Sequence, residues 1–352
     1  MTYSFPKLLE TLASGDGLAL ATVVQTEGST PQVAGATAVF SNAGLVAGTV
    51  GGGQLEARVA ASAAASLSDG EPRLVTISLE SDPADLEGAI CGGKARVLVD
   101  PGVGASKGVF RSALEGFKRR RRGMLVCRLV PGHGDTVAVE RGWLPEGVPG
   151  LPGDPVFGDL APEIVAAAAE GQAPRLFIES KERMWFVEPV VPLPRLIVVG
   201  AGHIGKAVAR LGSLLDFSVT VIDDREEFAN IVNVPEADEV VLAEIAEAVR
   251  AVEDSPDNYF VIVTRGHQKD AEALRAALGR EAAYVGMIGS RRKIELMQCE
   301  FLENGWATAG RWAAIHAPIG IDIGSRTVEE IAVSIAAELV KVRAERHGAA
   351  AP

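Results

Sequence analysis

After residue 195 the apolar positions fall into short blocks separated by amphipathic stretches. Strand-like blocks stand at 196–199, 218–222, 239–242, 259–263, 283–288 and 313–315, while helical periodicity occupies 203–215, 268–278, 291–303 and 328–343. Strands alternating with helices of this length predict a parallel sheet covered on both faces. Before that point the pattern differs. Strands are expected at 18–25 and 36–40, and a third at 45–50 runs into Gly51, Gly52 and Gly53. A helix at 54–67 follows, then strands at 74–79 and 95–99, with the acidic loop 80–88 and the turn at Cys91, Gly92 and Gly93 between them. These elements predict a small mixed sheet with one main helix. From 102 to 188 the pattern loosens: 142–158 is rich in Gly and Pro, and 162–171 reads as a short Ala-rich helix.

Pro189, Pro192 and Pro194 remove amide donors and hold the backbone extended just before the apolar block at 196, which marks a boundary. The chain therefore divides into 1–188, with a core at 1–100 and a less regular middle at 102–188, a linker at 189–194, and 195–352. The fold class is α/β: a C-terminal parallel sheet with helices on both faces, plus a smaller N-terminal mixed α+β domain. A length of 352 residues suits two such cores. Hydrophobic residues at 47% and charged residues at 23% are ordinary globular values.

The net charge of −12 opposes non-specific binding to nucleic acid or to an anionic membrane, so neither is an expected partner. No long apolar run or leader-like N-terminus is present, and the expected location is cytoplasmic. Cys91, Cys127 and Cys299 are odd in number and widely spaced, which suggests neither a disulfide framework nor a zinc site.

The segment Gly200, Ala201, Gly202, His203, Ile204, Gly205 is GxGxxG between a strand and a helix, the signature of a Rossmann-like phosphate loop. Gly200 serves the tight turn, Gly202 the backbone approach to phosphate, and Gly205 close packing of helix on sheet. The helix amides then face an anion. Asp223 and Asp224 end the next strand, where Asp223 is placed to accept from a ribose hydroxyl. Ligands of such sheets sit beyond the carboxyl ends of the strands. Those ends carry Thr264, Arg265, Gly266 and His267; Gly286, Gly289, Ser290, Arg291 and Arg292; and His316, Pro318, Gly320 and Asp322. Arg291 and Arg292 at a helix start form a second anion grip. His203, His267 and His316 lack a carboxylate or thiol at ligand spacing, so no resident metal is expected.

In the N-terminal part, Gly51, Gly52 and Gly53 also lie between a strand and a helix, where bare backbone can meet an anion. Glu56 in that helix's first turn either complements the helix dipole or binds and deprotonates a ligand. Cys91 sits on a Gly-Gly turn near Lys94, accessible enough to act as a nucleophile or sulfur carrier. Cys127, in the apolar run 124–130, and Cys299, in a helix, read as structural. The run Lys118, Arg119, Arg120, Arg121, Arg122 is a solvated helix end or a dock for an acidic partner.

Seven stretches in order, EGSTP at 27–31, TVGGGQLE at 49–56, CGG at 91–93 with VLVDP at 97–101, VGAGHIG at 199–205, TRGH at 264–267, YVGMIGSRRK at 284–293 and APIGIDIG at 317–324, carry a resemblance. The chain resembles the XdhC and CoxI family of xanthine dehydrogenase and carbon monoxide dehydrogenase accessory proteins. The resemblance implies a maturation factor that binds molybdenum cofactor (molybdopterin), favours its sulfuration by a cysteine desulfurase, and delivers it to a molybdenum hydroxylase client. A homodimer is the expected assembly. Many relatives place cysteine directly after the glycine triplet; here that residue is Gln54, which leaves Cys91 as the motif cysteine. Two other readings stay open. An NAD(P)-dependent oxidoreductase would use the same glycine loop with His267 as proton donor, and a nucleotide-binding scaffold would dock through Lys118 to Arg122.

Overall fold

The computed structural model describes residues 5–14, 17–79, 92–148, 158, 175–180 and 183–346. Cys91, the acidic loop and the helix expected at 162–171 lie outside them. The chain forms two compact units, Met1–Pro192 and Leu193–Pro352. No helix among the described residues is long and apolar enough to cross a membrane.

The first unit opens with helix α1 (Phe5–Ser14), then strands β1 (Ala19–Glu27), β2 (Thr37–Ser41) and β3 (Gly44–Gly48), helix α2 (Gly53–Asp69), and strands β4 (Arg73–Ser78) and β5 (Lys94–Asp100). The strands lie in the order β3-β2-β1-β5-β4. Every pairing is antiparallel, so the expected mixed sheet is corrected. The physical reason lies in the connections: β2 and β3 are joined too tightly for anything but a hairpin, and the sheet grows outward from β1. Helix α2 lays Leu55, Val59 and Ala63 on this sheet, one apolar residue per turn.

The loosely patterned middle is a second sheet. After a 3₁₀ turn at Gly102–Ser106 come helix α3 (Lys107–Lys118) and strands β6 (Gly123–Pro131), β7 (Val137–Pro145), β8 (Arg175–Ser180) and β9 (Arg183–Val190). They order as β7-β6-β9-β8, again antiparallel. Val24 and Leu98 of the first sheet pack against Cys127, Leu129, Val137, Met184 and Phe186 of the second. Helix α1 adds Leu8, Leu9 and Leu12 beside Phe110 and Ala113 of α3. Within this apolar setting sits a charged group: buried Arg141 contacts the carboxylate of buried Asp100, which also accepts from Gly102 N at 2.7 Å. Burial pushes the Glu188 carboxyl up to about 7, against the pull of the Arg141 charge. Strand β9 runs through Val190, so the proline segment begins inside a strand.

The second unit contains β10 (Arg195–Val199), α4 (His203–Leu214), β11 (Ser218–Asp223), β12 (Glu239–Leu242), α5 (Ile245–Ala251), β13 (Asn258–Ile262), α6 (His267–Ala277), β14 (Tyr284–Met287), α7 (Arg291–Glu303), α8 (Ala309–Ala313) and α9 (Val328–Arg346). The five strands run parallel in the order β12-β11-β10-β13-β14. This is a Rossmann-like sheet whose order reverses between β10 and β13, opening a crevice at their carboxyl ends. The central strands β10 and β13 are buried on both faces because both faces are covered. One core joins β10 and β13 to Val208 and Ala209 of α4 and to Ala332, Ile335 and Leu339 of α9; the other joins them to α5, α6 and α7. Helix α9 starts in a capping box: Glu330 N donates to Thr327 Oγ1 at 3.2 Å and Thr327 N to Glu330 Oε2 at 3.0 Å.

The strand expected at 313–315 is corrected as well. Thr308 caps the short helix α8, whose Trp312 is buried, and only His316 beyond it bridges in parallel to Gly286. The capping threonine outweighed the apolar tripeptide.

Candidate functional site

The loop after β10 gives its three glycines different surroundings. Gly200 has φ +113°, and a Cβ there would lie 2.6 Å from the carbonyl oxygen of Val263. A Cβ on Gly205 would lie 1.8 Å from the oxygen of Gly200. Gly202 has an ordinary φ of −71° and nothing within 4 Å of the position a Cβ would take. The fold thus requires glycine at the first and third positions and leaves open space in front of the second. Helix α4 begins at His203 with no side chain capping it, so its first amides have no partner within the helix.

Asp223, at the end of β11, is 2% exposed and fully engaged. Its Oδ2 accepts from Ala201 N at 2.8 Å and Arg225 Nη2 at 2.9 Å; its Oδ1 accepts from Arg225 N at 3.1 Å and Nε at 2.8 Å. Burial raises its pKa, but the Arg225 and Ala201 hydrogen bonds and the Arg225 charge together hold it below the usual carboxylate range. The guanidinium also lies 3.8 Å from the centroid of the Phe228 ring. The expected ribose acceptor is therefore a carboxylate already spent on shaping the loop, because four acceptor positions are all that it has. Asp224 faces Lys269 at 3.5 Å.

The ends of β13 and β14 are tied together by a carboxylate that the sequence pattern did not single out. Asp270, with no exposed surface, accepts from Thr264 Oγ1 at 2.5 Å and Thr264 N at 3.1 Å, and contacts Lys293 Nζ. Burial pushes its pKa up against those hydrogen bonds. It links the 264–267 loop to the first turn of α7, which Ser290 caps by accepting from Lys293 N at 3.3 Å. The available signal was an Asp in the first turn of a helix that follows a strand-end Thr. Arg265, Arg291 and Arg292 are exposed, and none pairs with a carboxylate among the described residues. Gly289 packs closely, since a Cβ there would lie 2.7 Å from Ile294. His267 Nε2 lies 3.2 Å from Glu300 Oε2 at the surface.

A second unanticipated carboxylate, Glu338 of α9, accepts from Tyr284 Oη at 2.5 Å and Gly320 N at 2.8 Å, and meets His316 Nδ1 at 3.0 Å. It fixes the segment that leads to Asp322, which is exposed and accepts from Gly324 N at 3.2 Å.

In the first unit, Gly51, Gly52 and Gly53 have φ of +124°, +68° and +55°. A Cβ on Gly51 would lie 2.8 Å from Pro31, and one on Gly93 would lie 2.3 Å from the oxygen of Ser29. The 27–32, 49–53 and 92–93 segments are therefore gathered at one place, with Gly92 exposed beside them. Glu56 Oε2 accepts from Thr49 Oγ1 at 2.6 Å, and that oxygen accepts from Gly51 N at 3.1 Å. Glu56 thus braces the glycine loop. Cys91 lies outside the described residues. Cys127 is buried, and burial pushes its thiol far up in pKa. Cys299 is exposed on α7, which corrects its expected structural role: it faces outward from the buried stripe Ile294, Met297, Phe301. Lys118, at the head of the basic run, meets Glu10 at 3.1 Å in solvent.

Residues 196–339 match the family model of the XdhC Rossmann domain, and residues 11–78 that of the XdhC and CoxI family. An uncharacterized protein of Escherichia coli (strain K12), YqeB, is 37% identical over 43% of this chain and 27% of its own length. A protein of Bacillus subtilis (strain 168) named as a probable xanthine dehydrogenase component is 28% identical over 45% of this chain and 46% of its own length. The matches thus span less than half of either curated relative. A solved chain described as a xanthine dehydrogenase from Bacillus halodurans superposes with a TM-score of 0.76 at 27% identity, over 100% of this chain and 98% of that one.

Proposed function

Because the chain carries both of these domains and so belongs to the XdhC and CoxI family, we propose that it is a maturation factor for a molybdenum hydroxylase of the xanthine dehydrogenase kind. In this reading it holds the phosphate-bearing molybdenum cofactor beyond the carboxyl ends of the Rossmann-like sheet. The observation that carries the proposal is the open space at Gly202: the fold gains only the small advantage of glycine as a helix cap there, whereas a phosphate approaching the start of α4, which no side chain caps, needs the bare backbone. The residues fit such a group. Arg265, Arg291 and Arg292 are exposed guanidinium groups without a carboxylate partner among the described residues, on a chain of net charge −12. They suit phosphate oxygens, which accept forked hydrogen bonds. The hydroxylation chemistry of molybdenum belongs to the client enzyme. This chain's contribution is grip, exclusion of water and orientation toward a cysteine desulfurase, with Cys91 as the thiol closest in sequence to the gathered loops of the first unit. The relatives named for xanthine dehydrogenase support the same client.

A nicotinamide oxidoreductase is the weaker reading. A dinucleotide site uses the strand-end acid for a ribose hydroxyl, and here Asp223 is spent on Ala201 and Arg225. The test is titration of the purified protein with cofactor released from a molybdenum enzyme. Saturable binding at about micromolar affinity or tighter is expected, the strength ordinary pockets reach. No saturation, together with NADH binding and turnover of a carbonyl substrate, would replace the proposal with the oxidoreductase.

A further inference from the structure

The segment between β11 and β12 is closely hydrogen-bonded and yet holds two branched apolar side chains out in solvent. Asn230 Nδ2 donates to the carbonyls of Glu226 and Glu227 at 3.0 and 3.1 Å, and Asn230 Oδ1 accepts from Asn233 N at 2.9 Å. Asn233 Nδ2 donates in turn to Phe228 O at 2.9 Å and to Ala201 O at 3.2 Å. Between the two asparagines, Ile231 is 55% exposed and Val232 86%, the most exposed large apolar side chain among the described residues. Single exposed apolar residues are ordinary; an adjacent pair held outward by a braced turn is the form a contact surface takes.

The charge around this pair selects what covers it. Glu226 and Glu227 are exposed on the same turn, and neither is in an ion pair among the described residues. Arg225 is held by Asp223, and Lys269 by Asp224, Glu244 and Glu272. The turn therefore suits a partner with an apolar pocket and basic residues beside it. A second copy of this chain does not suit, because an isologous contact would set acid against like acid.

The turn is also fastened to the glycine loop through one residue. Ala201 donates its amide to Asp223, which Arg225 holds, and its carbonyl accepts from Asn233. Anything that shifts the turn thus shifts the residue between Gly200 and Gly202. We propose that Ile231 and Val232 are the docking point for the hydroxylase client, and that docking loosens the loop's hold on its ligand through Asn233. This rests on the maturation reading above, in which phosphate sits at the start of α4. The client is the partner that must take the ligand from that end, whereas sulfur exchange takes place at the molybdenum.

Surface plasmon resonance of the full chain against a purified, cofactor-free hydroxylase of the xanthine dehydrogenase kind from the same organism, beside titration with cofactor released from a molybdenum enzyme, tests both parts. Ile231→Asp and Val232→Asp should each weaken hydroxylase binding about tenfold or more. Cofactor affinity should stay within about twofold of wild type, and the unfolding temperature should not move, since both positions are exposed. Cofactor should leave the preloaded wild type about fivefold faster or more with saturating hydroxylase than with excess empty chain as the trap, a size ordinary for coupling between sites. Asn233→Ala should bind hydroxylase like wild type and cut that factor below about twofold. Hydroxylase binding like wild type in both aspartate variants would overturn the docking point, as would loss of desulfurase binding in place of client binding, or an equal loss of cofactor affinity. No acceleration in wild type, or an unchanged one in Asn233→Ala, would overturn the route. A wild type that binds hydroxylase through this turn but takes up no cofactor would sink the maturation reading and leave the docking point standing. One that takes up cofactor but binds no hydroxylase would sink the docking point alone.

Discussion

Alanine at each glycine of the 200–205 loop separates what the fold needs from what a ligand needs. At Gly205 the added carbon meets a backbone oxygen at 1.8 Å, which cannot rotate away. Overpacking of this kind costs about 3 kcal/mol, the upper end for an inserted methyl. At Gly200 a positive φ and a backbone contact at 2.6 Å coincide, and a cost of about 2–3 kcal/mol follows from strain and crowding together. At Gly202 the backbone is ordinary and the space is empty, so Ala forfeits only the small advantage of glycine as a helix cap, under about 1 kcal/mol. For a unit of this size 1 kcal/mol moves the unfolding temperature by about 2–4 °C. Gly205→Ala should therefore fall by about 6–12 °C and Gly202→Ala by less than about 4 °C. Binding should rank the other way. A methyl at residue 202 stands where the anion would sit, and losing one charge-assisted hydrogen bond of about 1.5–3 kcal/mol weakens binding by about tenfold or more. Thermal unfolding and cofactor titration on the same three variants give the comparison. Wild-type affinity in Gly202→Ala, or an unfolding temperature as low as that of Gly205→Ala, would refute the assignment of Gly202 to a ligand.

Asp270→Asn leaves Lys293 against a neutral amide and should cost about 3 kcal/mol in urea unfolding, with Lys293→Met in the same chain recovering part of it; no loss would mean that the pair does not brace the crevice. Glu188 is held at about 7, above the ordinary 4.5, so the folded chain keeps a proton that the unfolded chain has released. Its contribution is whole below pH 4.5 and is lost as pH climbs toward 7, and Glu188→Gln should flatten that decline in unfolding temperature between pH 5 and pH 8. Iodoacetamide labelling with peptide mapping should modify Cys299 in the native chain and Cys127 only after unfolding, since the first is exposed and the second is buried with its thiolate disfavoured.

The second unit was legible because local signals and tertiary context agree there: buried parallel strands are continuous apolar blocks, and their helices carry one clear apolar face. Helix α7 fell on its expected residues, while α5 did not show, since seven residues are too few for a period to emerge. The middle of the first unit failed for a different reason. Strands β6 and β7 are a long hairpin with charged Arg128, Glu140 and Arg141 placed among apolar residues, and charge in a strand hides its alternation. At the site, glycines and arginines were visible because their chemistry is local. Asp270 and Glu338 were not: each is an acid in a helix, ordinary in sequence, and its worth comes from partners 6 to 54 residues away that only the fold supplies.

The place of β10 at the centre of its sheet governs when the glycine loop acquires its shape. One neighbour, β11, follows at once, but the other, β13, arrives only after β12 and α5 have been passed. Val263, just beyond β13, donates its amide to Val199 at 2.9 Å and supplies the carbonyl that crowds Gly200. That closure spans many residues, and its entropy cost leads us to expect it late in folding. A partly folded chain thus has no formed loop for a ligand to grip. A ligand bound there as proposed would act on the finished unit alone, adding stability by mass action. It would slow unfolding while leaving the folding rate as it was. Cells starved of that ligand should make the protein at the usual pace and lose it sooner.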